Sequence, residues 1–316
     1  MVSLVADSGN DTLILPSFDD IKALPNFPAD YKILSESIHE PFRCPAKLLH
    51  GPIVIPTPQG DFRIEGCDFF ACTGQIGPQG PTANFGTGWI SRWTTFTDDS
   101  QKKFTVRPPL RTGANPYRYL EFDYAAAATV LSCGDAPMVA PGSKLTLTNT
   151  APAEYQMFEI AKGPNDWWMS IQVRSLTIGG TKVDWPGPPY PMAMVDTGGG
   201  PVLLSDPDGY FYKTTWPESV DLPTWIDTSS SLCQAVKDPL VMEIGDGNSW
   251  LSYPIDTSKL PETVQDLTLV LCKDCSYLQG NAGVNIGGIS ALFNLILIDN
   301  HLGQVGFKSK SVDAVS

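Results

Sequence analysis

The stretch AMVDTGGGPVLL, residues 193–204, sets one aspartate between two apolar runs and follows it with Thr-Gly-Gly-Gly-Pro. Short apolar runs bounded by glycine and proline read as buried strands. A carboxylate is costly to bury, so Asp196 reads as a side chain that a strand delivers to a cleft.

A second stretch, LVADSGNDTLIL (4–15), has the same layout, with Asp7-Ser8-Gly9 where the first has Asp196-Thr197-Gly198. Each is followed downstream by an echo in which Asn, an apolar residue and Gly succeed one another, ANFGTG (83–88) and VNIGGI (284–289). One Asp-Ser/Thr-Gly triplet is weak, arising by accident roughly 0.1–0.2 times in a chain of this length at average usage. Two, each between apolar runs and each with its echo, describe two divergent halves of one ancestral unit. The glycines allow a tight turn and a close approach of another segment. If the halves pack about a pseudo-two-fold axis, the two carboxylates meet. They then share one proton and titrate in two separated steps. One acts as base on a bound water while the other, protonated, polarises a carbonyl.

The composition suits a large, turn-rich, folded chain. Of 316 residues 42% are apolar, 28 are Gly and 28 are Pro, enough for a core in one large domain or two lobes. A net charge of −13 and no basic stretch exclude a nucleic-acid partner. The longest apolar run, ISALFNLILI (289–298), is about half of a membrane span. MVSLVADSGN lacks a basic n-region and reads as no signal peptide.

Strands dominate: VSLVA, TLIL, GPIVIP, FRIEGCDFFAC, KFTVRP, LEFDYAAAATVL, KLTLTN, MSIQVRSLTIGG, AMVD, VLL, VMEIG, LTLVLC and LILID. TPQG (57–60) and IGGTKV (178–183) read as hairpin turns. Short helices are expected at DTSSSLCQAV (227–236) and at ISALFN (289–294).

The seven cysteines leave at least one unpaired in a monomer. CKDC (272–275) has no second such pair and the chain only three histidines, so a disulfide in an oxidising compartment is the expected use, with buried thiols the bland alternative; no metal and no cofactor are expected. The sequon NDT (10–12) reads as coincidence, since a glycan there would block the Asp7 cleft. Trp89, Trp93, Trp167 and Trp168 read as core before they read as a ligand subsite.

The chain resembles a divergent member of the pepsin-like aspartic peptidases. The resemblance rests on VADSGNDTLILPS (5–17), AMVDTGGGPVLL (193–204), WWMSIQVRSLTIGGTKV (167–183), ANFGTG (83–88) and above all VNIGGISALFNLILIDNHLGQVGFKS (284–309). It implies a mostly β, bilobal fold with two pseudo-symmetric β lobes and a central cleft, an N-terminal lobe 1–155 carrying Asp7 and a C-terminal lobe 156–316 carrying Asp196. It implies an aspartic endopeptidase favoured at acid pH, with Asp7 and Asp196 as the catalytic pair. Ser8, Gly9, Asn10, Thr197, Gly198 and Gly199 build the supporting loops, and Phe85, Gly86, Ile286 and Gly287 back them. Cys233 with Cys272 or Cys275 fits a disulfide common in the second lobe. The partner is a polypeptide substrate in the inter-lobe cleft. The expected place is outside the cell or in an acidic, vacuolar or lysosome-like compartment.

Three departures from the family are visible. Gly199 and Gly200 stand where hydroxyl residues usually orient the second aspartate, and Asn10 replaces a Ser. The flap segment SESIHEPFRCPAKLLHG (35–51) has no Tyr, leaving His39 or Phe42 for that place. Six residues precede Asp7, fewer than the family carries: either those strands were removed, another segment replaces them, or the first lobe is pared down; a monomer is expected, or an oligomer if another chain completes the lobe. These departures motivate an alternative, a catalytically altered scaffold that binds or inhibits a partner, or a non-peptidase acid/base enzyme.

Overall fold

The structure is a computed structural model. It describes residues 3–7, 12–38, 44–74, 82–87, 94–106, 109–111, 117–124, 144–161, 169–185, 187–198, 202–205, 226–228, 231–236, 239–256, 258, 269–272 and 283–310. Strands make up most of it, as the short β-branched runs predict, and the chain divides into two compact units, Met1–Tyr117 and Arg118–Ser316. No helix among the described residues is long and apolar enough to cross a membrane.

Unit 1 contains β1 (Ser3–Asp7), β2 (Leu13–Leu15), helix α1 (Phe18–Lys22), β3 (Lys32–Ile38), β4 (Ala46–Thr57), β5 (Gly60–Cys72), β6 (Thr82–Gly86), β7 (Thr94–Thr97) and β8 (Lys103–Val106). Six of these strands form one sheet in the order β1-β6-β2-β5-β4-β3, and β7 pairs with β8. TPQG makes the expected turn: β4 and β5 form a long hairpin with Thr57 opposite Gly60. Helix α1 was not anticipated. Its Ser17 cap accepts a hydrogen bond from the Asp20 amide at 3.2 Å, and Asp19 and Asp20 favour the positive helix end. Ile38, Leu48, Phe70, Phe96 and Val106 form a buried cluster beside a Cys44–Cys72 disulfide. That bond fixes the approach to β4 against the end of β5. Cys67 is a free buried thiol, and burial pushes its pKa up to about 12.

Unit 2 contains β9 (Tyr119–Asp123), β10 (Lys144–Thr148), β11 (Gln156–Glu159), β12 (Ser170–Ile178), β13 (Thr181–Asp184), β14 (Met192–Asp196), β15 (Val202–Ser205), β16 (Ile226–Thr228), β17 (Ser231–Val236), β18 (Leu240–Gly245), β19 (Trp250–Ile255), β20 (Leu269–Cys272), β21 (Val284–Gly287), β22 (Asn294–Asp299) and β23 (Gln304–Ser309). One sheet runs β16-β17-β20-β15-β21-β14-β12-β18-β19, with β13 paired to β12; a second runs β10-β9-β22-β23-β11. The second sheet joins β9 and β10, counted in the first lobe from sequence, to the C-terminal strands β22 and β23.

IGGTKV turns as expected: Gly179 and Gly180, both at positive φ, close the β12–β13 hairpin. The close approach of β11 to β23 needs another glycine, because a Cβ on Gly306 would collide with Met157 Sδ. In β12 Ile171 and Val173 are buried, then the phase shifts and Leu176 and Ile178 are buried. An irregularity between Val173 and Ser175 in the pairing with β18 causes the shift. ISALFN forms the expected short helix as a 3-10 turn, Gly288–Leu292.

DTSSSLCQAV departs from its reading. It forms the β16–β17 hairpin, with β17 also paired to β20. Three successive serines are poor helix formers, and neighbouring strands supply the backbone partners a lone helical turn would lack.

Candidate active site

Strand β14 lies between β12 and β21, and Ala193, Met194 and Val195 are buried along it. Burial on both faces explains its continuous apolar run. The strand ends at Asp196, which is half-buried, and the chain turns through Thr197 and Gly198. The first apolar flank thus delivers the aspartate to the sheet's end, and the second returns as β15.

Strand β21 runs parallel to β14, with Ala193 opposite Val284, Met194 opposite Asn285, Val195 opposite Ile286 and Asp196 opposite Gly287. Strand β15 pairs antiparallel with the same β21, Leu203 facing Asn285. So β21 lies between the two strands that flank the Asp196 turn. Unit 1 repeats this arrangement. Strand β1 runs parallel to β6 with Val5 opposite Asn84, Ala6 opposite Phe85 and Asp7 opposite Gly86, and β2 pairs antiparallel with β6, Ile14 facing Asn84. A parallel strand also lies beyond each return strand, β5 beside β2 and β20 beside β15. The two echoes noted in sequence are these central strands.

Several groups hold the Asp196 turn. Asn285 Nδ2 donates to Asp196 Oδ2 at 2.9 Å. Tyr124, just past β9, donates its hydroxyl to the Thr197 carbonyl at 2.8 Å, and Thr197 is fully buried. Behind Gly287, Ser290 Oγ donates to its carbonyl at 2.7 Å and receives Tyr253 Oη at 3.1 Å. Burial pushes the Tyr253 phenol pKa up, so it remains a neutral donor. Lys310 Nζ reaches Asp123 Oδ1 at 2.7 Å and the Tyr124 carbonyl at 2.5 Å; burial lowers its pKa, with Asp123 opposing.

In unit 1 the backbone of Asp7 closes β1. Thr87, directly after Gly86, is buried, and its Oγ1 has no hydrogen-bond partner among the described residues. Ser8, Gly9, Asn10, Gly199, Gly200, His39 and Phe42 lie outside the described residues, as do Cys275, Trp89, Trp93, Trp167 and Trp168. An open pocket of about 490 Å³ in unit 1 is lined by Phe27, Tyr31, Ile33 and His50 among others and contains none of the expected site residues. His50 Nδ1 lies 2.6 Å from Asp68 Oδ1 at its edge. Among the described residues no group of three or more His, Cys, Asp or Glu is arranged to hold a metal ion.

Tyr124, Asn285 and Ser290 escaped the sequence reading. For Asn285 a signal was present, because Asn recurs in both echoes; Tyr124 lies far from Thr197 in sequence and carried none. No protein-family model matches the chain, and no curated protein matches it.

Proposed function

We propose that the protein is an aspartic endopeptidase with a bilobal, pepsin-like fold, in which Asp7 and Asp196 act on one shared water. One observation carries this reading. In each unit an Asp ends a strand opposite a Gly of the strand it pairs with, and the return strand pairs with that same central strand. A repeat of this kind gives two equivalent carboxylates at two equivalent turns, which is what a dyad requires.

In the reaction the ionised carboxylate takes a proton from the water as its oxygen attacks the peptide carbonyl carbon. The protonated partner gives its proton to the carbonyl oxygen, forming a tetrahedral diol. Collapse breaks the C–N bond: the first carboxyl, now protonated, gives its proton to the amine nitrogen, a diol hydroxyl returns a proton to the second, and the dyad regains its starting form. Two carboxylates at hydrogen-bond separation cannot both ionise, so the working form carries one proton and is favoured in acid. In this reading Ser8, Gly9, Asn10, Thr197, Gly198 and Gly199 are the loop residues of the site, with His39 or Phe42 in the flap's place. The Cys44–Cys72 disulfide suits an oxidising environment, which accords with work on polypeptides outside the cell or in an acidic compartment.

The test is hydrolysis of a denatured protein between about pH 3 and 5, with and without a statine-type inhibitor. Turnover is expected, blocked by the inhibitor and abolished in Asp196→Asn. Activity that survives Asp196→Asn overturns the proposal, and so does an inactive parent protein.

A further inference from the structure

Asn285 is out of place in a strand built for a core. Val284 and Ile286 on either side of it are buried, and Asn285 itself is only 2% exposed. Asn is depleted in strands. Its Oδ1 is buried without a hydrogen-bond partner among the described residues, a defect that costs folding stability. An apolar side chain of similar size would suit the surroundings better. Local rules broken at a stability cost mark functional positions.

What the residue gains is one contact, the 2.9 Å hydrogen bond from Nδ2 to Asp196 Oδ2. The chain after Asp196 runs Thr197-Gly198-Gly199-Gly200, and three glycines carry no side-chain donor. Asn285 brings an amide donor to the carboxylate from the neighbouring strand. The residue type also recurs at the corresponding register position. Asn84 in β6 lies opposite Val5, two residues before Asp7, as Asn285 lies opposite Met194, two residues before Asp196. Two asparagines at one register position of a repeated unit point to a common requirement.

We propose that Asn285 is a positioning residue for Asp196, fixing the carboxylate in the orientation from which it holds the attacking water. The proposal rests on the aspartic-peptidase reading. Asn285 is buried and bonds Asp196, so it acts through the aspartate's orientation.

The test compares the parent with Asn285→Leu and Asn285→Asp. Leu keeps the branched outline and the number of heavy atoms, removes the donor and also removes the unpaired oxygen. Its expected result is a kcat lower by about 10- to 100-fold, the scale of a small misplacement of a reacting group, with KM little changed and Tm equal or higher. In Asn285→Asp the new carboxyl donates an O–H to Asp196 while protonated and repels it once ionised. That variant should therefore keep activity at the acid end and lose it as pH rises, where the Leu variant is depressed throughout. A Leu variant that unfolds or melts earlier, keeps its kcat, or shares the pH profile of the Asp variant overturns the positioning role alone, provided the parent is active. An inactive parent overturns the peptidase reading itself, and the positioning role with it.

Discussion

Tyr124 Oη donates to the Thr197 carbonyl at 2.8 Å, so the residue that follows β9 in one sheet of unit 2 holds the turn that follows Asp196 in the other. Both partners are buried. The Lys310 ammonium on the Tyr124 carbonyl continues the tether to the segment after β23.

Tyr124→Phe removes one donor from a buried carbonyl and leaves the ring in place. The expected loss is about 1–2 kcal/mol of unfolding free energy and, under the proposed peptidase reading, a fall in kcat because the peptide that Tyr124 holds adjoins Asp196. Denaturant melts and steady-state kinetics on the same variant check this. A lost kcat with stability unchanged, or lost stability with kcat unchanged, contradicts the coupling.

The sequence carried local patterns well and non-local pairing poorly. TPQG and IGGTKV act within a few residues, and their hairpins formed where the spacing predicted. The Asp7 and Asp196 strands and their Asn-apolar-Gly echoes were legible as repeats, because the repeat preserves apolar flanks and glycines. The place of β9 beside β22 was not legible, since no residue of LEFDY names a partner strand about 175 positions away. DTSSSLCQAV misled for the same reason: its apolar residues fit one helical turn, and only the pairing with β20 decides for a strand. Helix α1 had a local signal in Ser17-Phe18-Asp19-Asp20, a cap followed by acidic residues. The site's supporting donors, Tyr124 and Asn285, reach Asp196 and its turn across strands, and strand order is not written in any short motif.

The Cys44–Cys72 bond closes a loop with a sequence separation of 28. Loop-closure entropy gives a bond of that span about 3–4 kcal/mol. The paired substitution Cys44→Ala with Cys72→Ala should lower the Tm by several degrees, read by calorimetry. An unchanged melting profile would mean that the sheet alone holds β4 to β5.

The sequence left Cys233 two partners, Cys272 and Cys275, of which the second lies outside the described residues. Strands β17 and β20 are antiparallel, and Cys233 lies directly opposite Cys272. Opposed residues of such a pair have Cα atoms about 4.5–5.5 Å apart, within the span of a disulfide. Peptide mapping without reduction should return a Cys233–Cys272 cross-link. A Cys233–Cys275 link, or a Cys233 that alkylates freely in the folded protein, rules this pairing out.

Glu243 in β18 predicts how unit 2 behaves in acid. Arg174 meets its Oε1 at 3.1 Å, Ser175 donates to Oε2 at 2.5 Å and Lys182 lies 3.3 Å from Oε2. Arg174 first, then Ser175, holds the carboxyl pKa down at about 2 against an ordinary 4.5. A depressed carboxylate pKa adds stability that is complete above the unfolded value and lost as pH falls through the folded one. The contribution is therefore full above about pH 4.5 and gone below about 2. Arg174 and Lys182 are partly solvent-exposed, which reduces the gain to about 1 kcal/mol. Glu243→Gln should melt about 2–4 °C below the parent at neutral pH, and the gap should close as the pH is taken down through 2. Thermal melts across that range decide it: a gap that stays constant to the lowest pH assigns the loss to packing rather than to the charge.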